Sequence, residues 1–278
     1  MNFTIHHKEK KYFALMVGIN IILYALFLSG LLPSQHLLTL GLYALAIVGF
    51  SFVMHLVLIG QIQGNAIKVT EQQFPDIHEI LVAQSQRLGL RSVPALYVLQ
   101  SGGMLNAFAA RFGGRNYIVL YSEVLAVAYQ EGRETVEFII GHELGHIKRK
   151  HVSLARTLLL FPARHIPFLG SAYSRACEYT CDNIGYFLCQ TDAHKGLLIL
   201  ATGKNLYKKV DVKAFVEAAN KESGFAFWFA EKVSSHPHLA KRIAEIEKLQ
   251  RFNSIKAAGV ERDAIDYNNK FDGKELQS

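Results

Sequence analysis

The chain opens with two long apolar runs and then changes to mixed helical and strand-like patterning. Tyr12 to Leu32 reads YFALMVGINIILYALFLSGLL, with no charge and a single amide, Asn20. Leu37 to Gly60 repeats the pattern as LLTLGLYALAIVGFSFVMHLVLIG. Each run holds about 20 residues or slightly more, the helix length that crosses a hydrocarbon core of about 30 Å. Only Pro33, Ser34, Gln35 and His36 join them, so the pair predicts a transmembrane helical hairpin. A cleaved leader would have a shorter apolar stretch and a small-residue cleavage site. The alternative for the same pattern is a hairpin buried in a soluble core. His55, five residues from the end of the second run, is expected at the membrane interface.

From about Gln61 the pattern is that of a soluble domain. Phe74 to Leu88 is amphipathic, with apolar residues at 74, 77, 80, 81 and 88, and predicts a helix. Ala95–Leu99 and Tyr117–Tyr121 are rich in Val, Leu, Ile and Tyr and predict strands. Met104–Arg111 is a third candidate strand, followed by a turn at Gly113 and Gly114. Ser122 and Glu123 open a helix, and Arg133–Lys150 predicts a long one. Further helices are expected at 173–190, 195–208, 211–221 and 238–251. Leu158 to Phe161 is apolar, but Pro162, Arg164, His165 and Pro167 break it up. It is too short for a third span and predicts a surface-lying or membrane-facing helical turn. The expected organisation is a polar N-terminal tail 1–11, spans 12–32 and 37–60, a domain 61–252, and a loosely held tail 253–278.

Composition sharpens this picture. Half of the 278 residues are hydrophobic, only 19% are charged, and mean hydropathy is +0.16, values of a membrane protein with a polar part. The N-terminal tail carries Lys8, Lys10 and Lys11, and Lys68, Arg87 and Arg91 follow the second span, whereas the joining loop has no basic residue. By the positive-inside rule both termini and the domain face the cytoplasm, in a multi-pass protein of the cell membrane. The 30 Lys and Arg against 23 acids are scattered and come without a nucleic-acid motif, so the lipid bilayer is the expected partner and nucleic acid is not. Cys177, Cys181 and Cys189 fall within thirteen residues, a poor disulfide framework and a sign of a reducing compartment.

The chemistry concentrates in FIIGHELGHIKRKH, residues 138–151. Residues four apart share a helix face, so His142 and His146 can aim two imidazoles at one point. Glu143 then falls where a carboxylate faces a water beside the metal: the HExxH pattern of two zinc ligands and a general base. The bare pattern also arises by chance on polar helices, so the other parts of a catalyst have to be found. A catalytic zinc takes a third protein ligand and keeps an open position. Glu178, in SRACEYTCDNIG and 36 residues after His142, is the best candidate. Asp182, one turn on, suits the free N–H of a ligating histidine. A Glu/Asp pair of this spacing is otherwise a solvated helix face, but Cys177, Cys181, Ile184, Phe187 and Leu188 mark the helix as buried. Cys177 and Cys181 could themselves bind zinc, which would close a structural site and leave Glu143 idle; as small buried hydrophobes they need no metal. His6, His7, His78, His194 and His238 are expected to be exposed. So is His151, which lies off the ligand face, and Lys148–Lys150 reads as a solvated helix end.

Four motifs in this order resemble those of the HtpX-like membrane zinc metallopeptidases, in the wider group that includes the CAAX prenyl endopeptidases. They are NAFA at 106–109, HELGH at 142–146, EYTCD at 178–182 and HPHLAKRI at 236–243. The resemblance spans about residues 60 to 250 and, with the hairpin, nearly the whole chain. It implies an α+β, mostly helical gluzincin (zincin) domain with a small sheet behind a transmembrane hairpin. It implies one Zn2+ per chain on His142, His146 and Glu178, Glu143 as general base, and peptide or protein substrates. Asn106, Ala107, Phe108 and Ala109 match the family's edge strand, where an extended peptide adds by main-chain hydrogen bonds. His236 matches a site histidine and Arg242 an arginine that supports it, either or both of them stabilising the oxyanion. Two features depart from the pattern: Cys181 stands where alanine is usual, and only 153–172 fills the interval where HtpX proteins carry a second transmembrane pair.

Overall fold

The computed structural model describes residues 3–29, 34–100, 102, 106–189, 193–202 and 206–254. Two long helices lead, α1 (His7–Leu28) and α2 (Ser34–Asn65), each long and apolar enough to cross a membrane. The surface of α2 is the one a bilayer rather than a soluble core would suit. From Leu38 to Leu58 the large apolar side chains of α2 are exposed, Leu38, Tyr43, Leu45 and Phe50 by about two thirds. A soluble core would cover them; a bilayer solvates them. Only towards its end does α2 turn apolar groups inward, where Ile59 and Ile62 pack with Tyr97, Tyr117 and Val119 of the sheet. The loop residues 30–33 lie outside the described part.

A four-stranded sheet follows: β1 (Ile67–Lys68), β2 (Ala95–Leu99), β3 (Ala107–Phe112) and β4 (Arg115–Tyr121), in the order β1-β2-β4-β3. Strands β2 and β4 run parallel, and the outer pairs are antiparallel. Gly113 and Gly114 both have positive φ, the left-handed backbone that a tight β3–β4 hairpin needs. Strand β3 is therefore an edge, one side of its backbone bonded to β4 and the other unpaired within the sheet. It begins at Ala107 rather than Met104, which with Leu105 lies outside the described residues; β1 has no two-residue signal strong enough to read.

The remaining elements are helical: α3 (Pro75–Arg87), α4 (Ser122–Glu131), α5 (Arg133–Lys148), α6 (Leu154–Arg164), α7 (Leu169–Cys189), α8 (Ala193–Thr202), α9 (Val212–Lys221), α10 (Phe225–Val233) and α11 (239–254). Of the expected helix 195–208 the described part ends with Thr202, residues 203–205 lie outside it, and 207–209 is a 3-10 turn. Helix α10, FAFWFAEKV, is not among the expected helices: it is nine residues long with only Glu231 and Lys232 polar, too short an apolar run to announce a helix. Most of the expected tail 253–278 lies outside the described residues.

The pair α5 and α7 forms the centre of the domain. Their axes come close because glycines line the seam. A Cβ on Gly141 would sit 3.1 Å from Gly185 Cα, one on Gly145 3.2 Å from Cys181 Cα, and one on Gly185 2.9 Å from the Phe138 carbonyl oxygen. Phe138, Ile140, Leu144 and Ile184 close the core around it.

The N-terminal segment is not the polar tail that its lysines suggest. Helix α1 begins at His7, and Glu9 is fully buried. Asn183 Nδ2 donates to Thr4 O (2.9 Å) and His6 N to Thr180 Oγ1 (3.1 Å), which docks residues 3–9 on α7. His6, His78 and His238 are half-buried rather than exposed, and only His7 keeps the expected exposure; the side chain of His194 lies outside the described part. Residues 153–172 make no span: α6 packs on α1, where Asn20 Nδ2 donates to Leu159 O (2.6 Å) and Ala163 N donates to Asn20 Oδ1 (2.9 Å).

Candidate active site

Helix α5 presents His142 and His146 on the face turned towards α7. Their Nε2 atoms lie 3.3 Å apart. From α7, Glu178 brings one oxygen to 3.5 Å from His142 Nε2 and the other to 3.3 Å from His146 Nε2. Zinc bonds of about 2.0–2.2 Å in a tetrahedron put neighbouring ligand atoms about 3.3–3.5 Å apart. With one Glu178 oxygen turned to each imidazole, the separations between the side chains match those of zinc ligands, and all three side chains are mostly buried.

The groups behind this face fix its orientation. Asp182 accepts from His142 Nδ1 (2.9 Å) and from Arg242 through both its oxygens (2.6 and 2.8 Å). With Nδ1 donating, Nε2 of His142 is left with the lone pair that a metal needs. Burial alone would lower the His142 pKa, but the Asp182 and Glu178 hydrogen bonds outweigh it and push it up to about 10. The same two carboxylates that favour a proton there favour a divalent cation in its place. Burial would raise Glu178, but its bonds to His142 and His146 hold it well below the usual carboxylate range. Glu143 is raised, chiefly by burial, against the pull of the two histidines.

A cleft opens onto this face, lined by Asn106 and Ala107 at the start of β3, by His142, Glu143 and Glu178, and by His236 and Arg242. His236 is largely exposed, with Nε2 3.6 Å from Glu178 Oε1. Its segment is held by α7: Arg175 donates to the carbonyls of Glu231 (2.7 Å), Lys232 (3.0 Å) and Ser234 (2.7 Å). Arg242 differs from His236. It is buried, points at Asp182, and comes only within 3.8 Å of Glu178. Phe108 lies edge-on to Tyr121, and Ala109 packs on the core, so these two are less directly in the cleft than Asn106 and Ala107.

The two thiols proposed as rival ligands part company. Cys177 packs with Met16, Leu160 and Tyr173 in the α1–α6 cluster. Cys181 does lie near both imidazoles, within 4.8 Å. Yet its sulfur is 3.6 Å from His151 Nδ1, which in turn is 3.2 Å from His146 Nδ1, so it sits behind the His146 ring and not on the Nε2 face. Burial pushes its thiol well above the ordinary range.

His151 itself corrects the surface expectation. Helix α5 ends at Lys148, Lys150 takes a positive φ of 60°, and the chain folds back so that His151 N donates to His146 O (2.9 Å). Helical spacing no longer applies, and the ring is buried beneath His146. Burial pushes its pKa down to about 4, against the hydrogen bond it donates to Glu9. Nor is Arg149 part of a solvated helix end, since it reaches Glu9 at 3.0 Å.

The model of Peptidase family M48 matches residues 71–163 and 153–250, well over half of the chain. The chain belongs to Peptidase family M48. These are HtpX-like membrane zinc metallopeptidases, so the protein is a zinc metalloendopeptidase with an α+β, mostly helical fold behind two apolar N-terminal helices. No curated protein matches it. In this M48 peptidase α5 supplies the HExxH face and α7 the carboxylate opposite, with the glycine seam setting the distance between them.

Proposed function

We propose that this M48 peptidase holds one zinc ion on His142, His146 and Glu178 and cleaves peptide bonds in membrane proteins or membrane-bound precursors at the cytoplasmic face. The donor spacing of 3.3–3.5 Å among those three side chains is the observation that carries the reading. Zinc, when bound, supplies a Lewis acid that polarises the scissile carbonyl and lowers the pKa of water. Glu143 takes the proton of the attacking water at its carboxylate and later delivers it to the leaving amine. Its burial and raised pKa suit a group that must both accept and return a proton. His236, at the open side of the cleft, donates from Nε2 to the oxyanion, and Arg242 acts by holding Asp182 and through it His142. An extended substrate adds to the unpaired edge of β3 at Asn106–Ala109, which leads its backbone past Glu143. Positively charged flanks on the α1 side support the cytoplasmic orientation.

A structural zinc site would need both thiols beside His142 and His146, and only Cys181 is grouped with them; Cys177 packs with Met16, Leu160 and Tyr173. A non-catalytic scaffold would have no use for Glu143. The test compares purified wild type with Glu143→Gln on a membrane-protein substrate. The variant should keep its zinc and lose cleavage by at least about 10²-fold, the minimum expected of a lost general base. Full cleavage by a zinc-loaded Glu143→Gln enzyme would overturn the assignment.

A further inference from the structure

The first zinc ligand, His142, is oriented by Asp182; the second, His146, leans on a group from the far end of the chain. His146 Nδ1 lies 3.2 Å from His151 Nδ1, and His151 Nε2 lies 3.1 Å from Glu9 Oε1. Glu9 is on the first turn of α1, fully buried, and its Oε1 also accepts from Arg149 (3.0 Å) and Arg156 (3.2 Å). A carboxylate oxygen ringed by two guanidinium groups has only lone pairs to offer, so His151 Nε2 carries the hydrogen. His151 Nδ1 then presents a lone pair, and the facing His146 Nδ1 has to be the donor. The hydrogen of neutral His146 is thereby committed to Nδ1, which leaves Nε2 bare towards Glu178. We propose that Glu9 and His151 are positioning residues for zinc: a relay from α1 fixes the tautomer and ring orientation of His146, so the site is completed only when the N-terminal helix is docked. Cys181 Sγ, 3.6 Å from the same His151 nitrogen, is the weaker competitor for that lone pair, so the 3.2 Å imidazole contact carries the relay.

This rests on His146 being a ligand, and one titration series separates the two ideas. Zinc affinity of the full-length protein in detergent is measured by chelator competition, together with the absorption spectrum of the Co2+ form. His142→Ala gives the reference loss; if it does not weaken zinc, the ligand assignment fails. With that loss in place, His151→Phe should weaken zinc by about 10–100-fold, the usual effect of removing a partner of a ligating histidine, and change the Co2+ spectrum. His151→Asn places an amide oxygen near the former Nδ1 and should recover most of the affinity. Glu9→Ala should resemble His151→Phe where it folds. Asn20→Ala removes the polar tie of α1 to α6 and should weaken zinc in the same direction, by less than His151→Phe, because it loosens the helix that carries Glu9. Wild-type affinity in His151→Phe, or equal losses in His151→Phe and His151→Asn, would overturn the relay.

A separate observation concerns the outside of the domain. Helix α6 runs along α1 from its start to its middle: Arg156 meets Glu9 at 3.2 Å, Asn20, thirteen residues after His7 and about 20 Å along the helix, meets Leu159 and Ala163, and Tyr24 reaches Leu158 O at 3.5 Å. If α1 crosses the bilayer, the part of α6 beside Asn20 and Tyr24, from Leu158 on, lies at acyl-chain depth, with Arg156 at the polar end by Glu9. Its outward Leu158 and Leu159 are exposed, and Phe168 continues the face to Phe225, Trp228 and Phe229 of α10. We infer that α6 and α10 form a lipid-facing surface continuous with the spans, where the domain dips into the cytoplasmic leaflet. Trp228 is the single tryptophan of the chain, so its fluorescence reports this face directly. In phosphatidylcholine vesicles it should emit at short wavelength and lose intensity to lipids brominated in the upper acyl chain. Quenching by aqueous iodide with none from any brominated lipid would overturn the inference.

Discussion

Substituting alanine for Gly185 should damage zinc binding without touching a ligand. The added Cβ would lie 2.9 Å from the Phe138 carbonyl oxygen and 3.0 Å from two carbons of its ring. Ordinary contact begins near 3.4 Å, so α7 must retreat from α5 by about half an ångström, since the oxygen belongs to a helix backbone and cannot swing away. Glu178 rides on α7 and the two histidines on α5, so the same shift would lengthen the 3.3 and 3.5 Å separations to nearly 4 Å. Metal sites tolerate about 0.2 Å. Overpacking costs about 1–3 kcal/mol, and removing a glycine from a helix interior returns about 1 kcal/mol, so stability alone is a weak readout. Zinc affinity is the strong one, and it should fall by at least about tenfold, the lower end of the loss when ligand support is disturbed. Gly196→Ala is the control. Its Cβ would meet only the Phe138 ring, at 2.8 Å from Cδ1, from α8 and outside the seam, so it should cost stability while zinc affinity stays near wild type. A folded Gly185→Ala protein with wild-type zinc affinity would show that the seam does not set the metal geometry.

Three further outcomes follow from the same coordinates. His236→Phe should keep zinc and substrate affinity while kcat falls by roughly 10²–10³, the loss typical of one oxyanion donor; near wild-type kcat would reduce this histidine to a loop residue. In metal-free protein His142 should still be an imidazolium at pH 8.5 by ring 15N shifts, because its folded pKa of about 10 lies above the ordinary 6.5; the associated stabilisation is complete below 6.5 and lost as pH rises through about 10, and a neutral ring at pH 8.5 would contradict the Asp182–Glu178 clamp. A cysteine added after Ser278 should resist membrane-impermeant thiol reagents in intact cells and react after permeabilisation; labelling from outside would reverse the proposed orientation.

What the sequence discloses divides along a physical line. Periodicity and spacing act within one element, so the spans, the β2 and β4 strands, the HExxH face of α5 and the buried helix carrying Glu178 and Asp182 are all readable from local pattern. The glycine seam is not readable: Gly141 and Gly145 stand on the HExxH helix, but nothing local says that their neighbour is the helix bearing Glu178. Helix α10 is hidden because nine mostly apolar residues give too short a window to tell a helix from a buried strand. The tail lysines describe the solvent side of residues 8–11 correctly and say nothing of Glu9, whose partners Arg149 and Arg156 lie about 140 residues away. His151 misleads for the opposite reason. Helical spacing from His146 puts it off the ligand face only if the helix continues, and the positive φ at Lys150 ends that premise one residue earlier. Both surprises meet at one point, the Nδ1 side of His146. A buried ligand needs something behind it, and here α7, whose Asp182 already serves His142, gives His146 only the Cys181 thiol, a weak donor that cannot accept the Nδ1 hydrogen firmly. The support therefore has to come from another part of the chain, and the N-terminal helix is the element packed there.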